Sequence, residues 1–60
     1  MKSVYHVSIF EVDFQSHNYK FIDDCFRKFN NYYDALRYAQ WNSIETMTFR
    51  RGYFINEVTL

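Results

Sequence analysis

The sequence has no proline, one glycine, one cysteine and no excess of charge of either sign. Each scarcity removes a possibility. A lone cysteine excludes an internal disulfide and a cysteine-based zinc site, so Cys25 reads as a small hydrophobe in a reducing setting. With no glycine-rich loop and no nucleotide-binding or metal-binding spacing, no cofactor and no catalysis are expected. Seven basic residues balance seven acidic ones, so no overall field draws the chain to nucleic acid or to an acidic membrane. No stretch approaches the roughly 18 to 20 apolar residues that span a bilayer, and the first residues lack the apolar run of a signal peptide. A cytoplasmic protein is the expectation. No linker, repeat or low-complexity tract divides residues 1–60, which read as a single domain.

What the sequence does have is aromatic: seven Phe, six Tyr and one Trp, or 23% of the chain. A chain of sixty residues buries only about 60% of the surface its unfolded state exposes, so its core is marginal unless a partner or a second copy adds to it. A homodimer is therefore expected. Abundant Phe, Tyr, Asn, Ile and Lys beside scarce Gly, Ala and Pro is what AT-rich coding produces, as in low-GC bacteria and their phages.

The segment 30–42 carries the clearest helical pattern. Asn31 can cap the free amides of the first turn, and Asp34 places a negative charge at the positive end of the helix dipole. At about 100° per residue Tyr32, Ala35, Leu36, Ala39 and Ser43 form one stripe, and the two alanines let the helix sit close to what it covers. Asp34, Arg37 and Trp41 fall opposite, with Tyr33 and Tyr38 flanking. Trp41 then either points outward as a partner anchor or folds back beneath the sheet.

Residues 3–14 alternate as one long strand, with Val4, Phe10, Val12 and Phe14 on one side and Tyr5, Val7 and Ile9 on the other. Residues 15–18 form a polar four-residue connection. Residues 19–29 read two ways. A helix is supported by Phe21, Ile22, Cys25, Phe26 and Phe29 and by the pairs Asp23 with Arg27 and Asp24 with Lys28. A strand is supported by antiparallel pairing that sets Phe21, Cys25 and Phe29 beside Val12, Ser8 and Val4, with Asp13 opposite Lys20. The strand is preferred. Beyond the helix, residues 45–50 and 53–59 resume alternation around Gly52, which offers the positive φ of a turn or bulge. The predicted fold is α+β, a small antiparallel sheet with one packed helix in the order β-β-α-β-β; the alternative is β-α-β-β with residues 19–42 helical.

In the chosen hairpin register Tyr5, Val7, Ile9, Ile22 and Phe26 gather on the sheet face away from the helix, a candidate self-association surface. Trp41, Arg37, Tyr38 and Asp34 on the outer helix form the candidate surface for a protein partner. Arg50 and Arg51 with Tyr53 offer the converse reading, since basic residues interleaved with aromatics can hold phosphates and stack on unpaired bases, provided Arg27 and Lys28 lie alongside. Glu11, Asp13, Asp23 and Asp24 form an acidic cluster that would suit a basic groove. His6 and His17 read as ordinary strand and loop residues, with no metal site expected. These features predict a small non-catalytic protein-binding module, homodimeric, of the kind a phage or mobile element uses to inhibit or modulate a host protein complex. Nucleic-acid binding is the alternative.

Overall fold

The computed structural model describes residues 2–60. Its elements are β1 (Ser3–Asp13), β2 (Tyr19–Phe21), a 3-10 turn (Asp23–Cys25), β3 (Arg27–Phe29), α1 (Tyr32–Trp41) and β4 (Phe49–Thr59). One helix packs on a four-strand antiparallel sheet, the predicted α+β arrangement. The helical alternative for residues 19–42 does not form before Tyr32, because its first part holds two short strands and the 3-10 turn. No helix is long and apolar enough to cross a membrane, among the described residues.

Strand β1 is the axis. On one side it pairs with β4 along its whole length, from Ser3 opposite Thr59 to Asp13 opposite Phe49. On the other it pairs with β2 and β3 placed end to end. The four-residue connection after β1 is closed by Asp13 N–H to Asn18 O at 2.9 Å and His17 N–H to Asp13 O at 2.8 Å. Asp13 Oδ1 also accepts from the amides of Gln15 and Ser16, and His17 takes the left-handed conformation at φ 62°.

The hairpin departs from the single register expected for residues 19–29. Phe21 lies opposite Phe10, whereas Phe29 lies opposite Tyr5. Between these two pairs β1 advances five residues and its partner eight, and the surplus of three is taken up by the 3-10 turn. An odd surplus reverses the face on which every later side chain emerges. Phe21 therefore sits beside Phe10 rather than Val12, Lys20 beside Glu11 rather than Asp13, and Phe29 crosses to the opposite face. The turn is held by Cys25 N–H to Ile22 O at 3.0 Å and Phe26 N–H to Asp23 O at 3.1 Å. Arg27 Nη1 donates to the carbonyls of Asp24 and Phe26.

Helix α1 begins as its sequence specifies. Asn31 is extended and its Oδ1 accepts the Tyr33 amide at 2.7 Å, satisfying one of the orphan donors of the first turn. At the other end Asn42 Nδ2 donates to Tyr38 O at 2.9 Å, so an asparagine closes each terminus. Beyond it, Thr46 holds a tight turn: its hydroxyl accepts from the amides of Thr48 and Phe49, and its own amide donates to Phe49 O at 2.8 Å. The turn expected near Gly52 lies here instead, with Glu45 bridging Arg50. Strand β4 runs unbroken through Gly52, whose φ is not positive.

The fully buried core is Val7, Ile9, Ala35 and Ala39, ringed by Tyr5, Ile22, Cys25, Phe29, Tyr38, Tyr53 and Ile55. This corrects the predicted surfaces. Tyr5, Val7, Ile9 and Ile22, assigned to a free self-association face, pack against the helix; of that set only Phe26 lies on the other side, its ring edge-on to His6 at 5.6 Å. Lengths explain the inversion. Ten helical residues span about 15 Å, which matches the apolar run Tyr5, Val7, Ile9 of about 13 Å, whereas Val4 to Phe14 runs about 33 Å and cannot be covered. Truncating the core tests this placement: Ile9→Ala should cost about 2–5 kcal/mol in urea unfolding, and a loss below about 1 kcal/mol would place Ile9 outside the core.

Candidate interaction surface

Directly opposed residues in an antiparallel sheet share a face, so the register defines what the helix leaves uncovered. That open face carries Val4, His6, Ser8, Phe10 and Val12 of β1, Tyr19 and Phe21 of β2, Lys28 of β3, and Arg50, Gly52, Phe54, Asn56 and Val58 of β4. Its centre is aromatic. Phe10 lies 5.2 Å from Phe54 and 6.4 Å from Phe21 between ring centroids, Phe21 and Phe54 are 6.2 Å apart, and Tyr19 stands edge-on to Phe21 at 6.2 Å. With Val12 these four rings line a shallow, almost wholly apolar depression of about 310 Å³.

Gly52 creates the space for this cluster. A Cβ at that position would lie 2.5 Å from Phe10 Cζ and 2.8 Å from Cε1. The glycine is required by close approach of a ring across the strand pair, not by backbone conformation. Because Phe10 is itself flanked by Phe21 and Phe54, it cannot swing aside without disturbing both.

The rings remain substantially in water: Tyr19 is 68% exposed, Phe54 54%, Phe21 50% and Phe26 40%. At about 200 Å² per aromatic side chain Tyr19, Phe54 and Phe21 of the cluster leave about 350 Å² uncovered, and Phe26, beside His6, adds to it. That lies within the range of the largest apolar patch on typical monomers, which is often functional. The charged strand residues of this face, Lys28 and Arg50, are both basic, and no strand contributes an acid to it. Glu45 approaches Arg50 at 3.9 Å from outside the sheet, but both side chains are solvated and the pair contributes little.

The residues singled out in the sequence distribute differently. Trp41 is 84% exposed, and Asp34 and Arg37 are also in solvent, so these three do occupy the outer helix. Tyr38 does not join them. It is half-buried, its hydroxyl donates to Cys25 O at 2.9 Å, and its ring lies 5.4 Å from Phe29 and 6.0 Å from the Arg27 guanidinium. It braces the 3-10 turn against the helix. Burial pushes its phenol above the ordinary value, the neighbouring Cys25 adds to this, and Arg27 opposes it.

Arg50, Arg51 and Tyr53 do not converge. Adjacent strand residues point to opposite faces, so Arg51 lies on the helix side, its Nε 3.2 Å from Glu11 Oε1 and its guanidinium 5.6 Å from the Phe49 ring centre. Tyr53 packs on the core, and Arg50 alone reaches the open face. Arg27 and Lys28 lie across β1 from β4, so the basic stripe required for that reading is not assembled. In the acidic cluster Glu11 is paired with Arg51 and Asp13 organises its loop, which leaves Asp23 and Asp24 exposed in the 3-10 turn. Among the described residues no group of three or more His, Cys, Asp or Glu side chains gathers at metal-binding distance.

Phe10, Tyr19 and Phe21 were not singled out as a binding surface by sequence reasoning. The available signal was the length of the apolar run from Val4 to Phe14, which exceeds what one short helix can cover. Comparison with protein-family models, curated proteins and solved structures gave no match.

Two outcomes follow from this geometry. Gly52→Ala should displace the Phe10 ring and cost about 1–3 kcal/mol in chemical denaturation, with changed near-UV circular dichroism. A neutral effect would contradict the ring-on-glycine contact. For Tyr38, the raised phenol favours the protonated form in the folded state, so its contribution is fully present below about pH 10 and declines as pH climbs through the folded value. Tyr38→Phe should lower stability by about 1 kcal/mol at pH 7 through loss of the bond to Cys25. The gap to the parent protein should narrow above pH 10 in thermal melts; a gap that stays constant to pH 12 would remove this tyrosine from the pH response.

Proposed function

We propose that the chain is a small non-catalytic binding module that takes a protein partner on the open face of its sheet and so inhibits or modulates a larger complex. The observation that carries this reading is the ring cluster around an apolar depression, in which Tyr19, Phe21 and Phe54 are exposed and Phe10 is half-buried between them. Aromatic side chains seated in a shallow apolar centre are the usual anchors of protein interfaces, and they bring area at low cost in side-chain entropy. The basic rim of Lys28 and Arg50 favours a partner with acidic residues around an apolar centre. The outer ridge of α1, with Tyr33, Arg37 and Trp41 four residues apart, supplies a second and separate contact surface.

One observation favours a second reading. A sheet face bearing exposed rings, with basic charges on its strands, is also the kind of platform on which single-stranded nucleic acid stacks. Net neutrality and the diversion of Arg51 to Glu11 weigh against it, because affinity for a phosphate backbone comes chiefly from cations.

Phe21→Ser combined with Tyr19→Ser removes ring surface that is already in water, so the fold should persist. Affinity capture from extract of the source cells should retain a protein with the parent chain, and lose it with the double variant. Fluorescence anisotropy with single-stranded DNA and RNA at low salt should show weak binding that these changes do not alter. Tight, salt-sensitive binding lost in the double variant and in Lys28→Ala with Arg50→Ala would replace the protein reading with the nucleic-acid one.

A further inference from the structure

The outer edge of β4 divides into two halves. In β1 the groups of Ile9 face β2, since Ile9 O accepts the Ile22 amide at 2.8 Å; the even-numbered residues of β1 therefore face β4. By register the even residues of β4 bond to β1, and its odd residues present their N–H and C=O groups to the outside. At Arg51 those groups are taken by the chain itself: the amide donates to Ile44 O at 2.7 Å, and the carbonyl accepts from the Ser43 hydroxyl at 3.1 Å. Among the described residues β4 pairs only with β1 from Tyr53 to Thr59, so Tyr53, Ile55, Glu57 and Thr59 line an open edge. That stretch has no proline and no lysine to discourage pairing, and it is long and regular.

We infer that this half-edge pairs antiparallel with the same half-edge of a second copy about a two-fold axis through Asn56. The register follows by elimination. An axis at Phe54 or Ile55 would set Glu57 or Thr59 against Arg51 of the other copy, where the segment 43–45 already lies. An axis at Glu57 would set two carboxylates opposite each other, which is destabilising. Centring on Asn56 pairs Tyr53 with Thr59 and Ile55 with Glu57, twice by symmetry, and uses every outward group of the half-edge. It also brings each copy's 43–45 segment level with Leu60 of the other, past Thr59, the last residue of β4.

The side chains suit this axis. Asn56 is exposed and lies at the site where opposed side chains approach most closely, and two asparagine amides are mutually complementary as donor and acceptor. Phe54 meets Val58 of the second copy on the open face, extending the apolar surface across the junction. An isologous contact of this kind closes on itself and leaves no edge of β4 to propagate. It does not depend on what the open face binds.

Light scattering over a dilution series tests the inference. The parent chain should reach twice the monomer mass. Glu57→Pro removes an outward N–H without touching the bonds between β4 and β1, and should shift the chain to monomer; Glu57→Ala, which keeps the N–H, and Phe21→Ser should both remain dimeric. Amide exchange gives an independent reading should the proline variant fail to fold: in the parent chain the Ile55 and Glu57 amides should exchange roughly tenfold more slowly at high than at low concentration. A monomeric parent chain, a folded dimeric Glu57→Pro, or concentration-independent exchange at these two amides would each overturn it.

Discussion

Close contact between two alanines and two β-branched residues determines the rest of the molecule. Ala35 and Ala39 lie on Val7 and Ile9, and all four are shut off from water. With no side chain beyond Cβ on the helix, its backbone comes near the sheet, and only residues of modest, rigid shape fit beneath it. A phenylalanine in that space would lift the helix away. The aromatic side chains that dominate the composition are therefore pushed to the margins of the core or to the opposite face. So small a core cannot hold long strands by burial alone, and the full-length ladder between β1 and β4 supplies the remaining order.

The 3-10 turn at Asp23–Cys25 is the second constraint, and it depends on the first. Carried on in the register of β1 with β2, Phe29 would emerge on the open face beside Lys2. With the three surplus residues it joins Tyr5 and Tyr38 at the edge of the core, and the Tyr38 hydroxyl closes the arrangement by bonding Cys25 O. One side chain thus ties the helix, the turn and β3 together. This is why a residue that the helical wheel places on the flank belongs to the architecture, while Asp34, Arg37 and Trp41 remain outside it.

Local signals were legible in the sequence where the physics is local. Asn31 as cap, the alanine stripe, the four-residue connection near His17 and the strand character of residues 3–14 all rest on neighbouring residues and are found as expected. The two sides of β1 were also separated correctly. Which side the helix covers was not legible from alternation, because both sides are apolar; it follows from matching the helix length to the shorter run, and the single-register hairpin obscured that. Looping out three residues is a tertiary choice, made because it carries Phe29 to the core, and Asp23-Asp24 alone, which fit a helix start equally well, do not mark it. Gly52 misled in a related way. A glycine within a strand signals a bend or a close approach, and only the position of Phe10 distinguishes them.

Zero net charge hides a segregation that bears on binding. Glu11, Asp13 and Glu57 belong to the helix side of the sheet along with Lys20, Arg27 and Arg51, so charges of both signs share that side and Arg51 pairs with Glu11. Lys28 and Arg50 are left on the other side with the rings, at opposite ends of the aromatic centre. A chain average records neither fact. Pairing β4 with a second β4 would place two such faces side by side in one continuous sheet, with Phe54 near the junction. Each ring cluster would then act next to its copy, and a partner spanning both would gain from two linked contacts rather than one. Strand pairing in the plane of the sheet leaves both faces free, so self-association and partner binding need not compete for the same apolar surface.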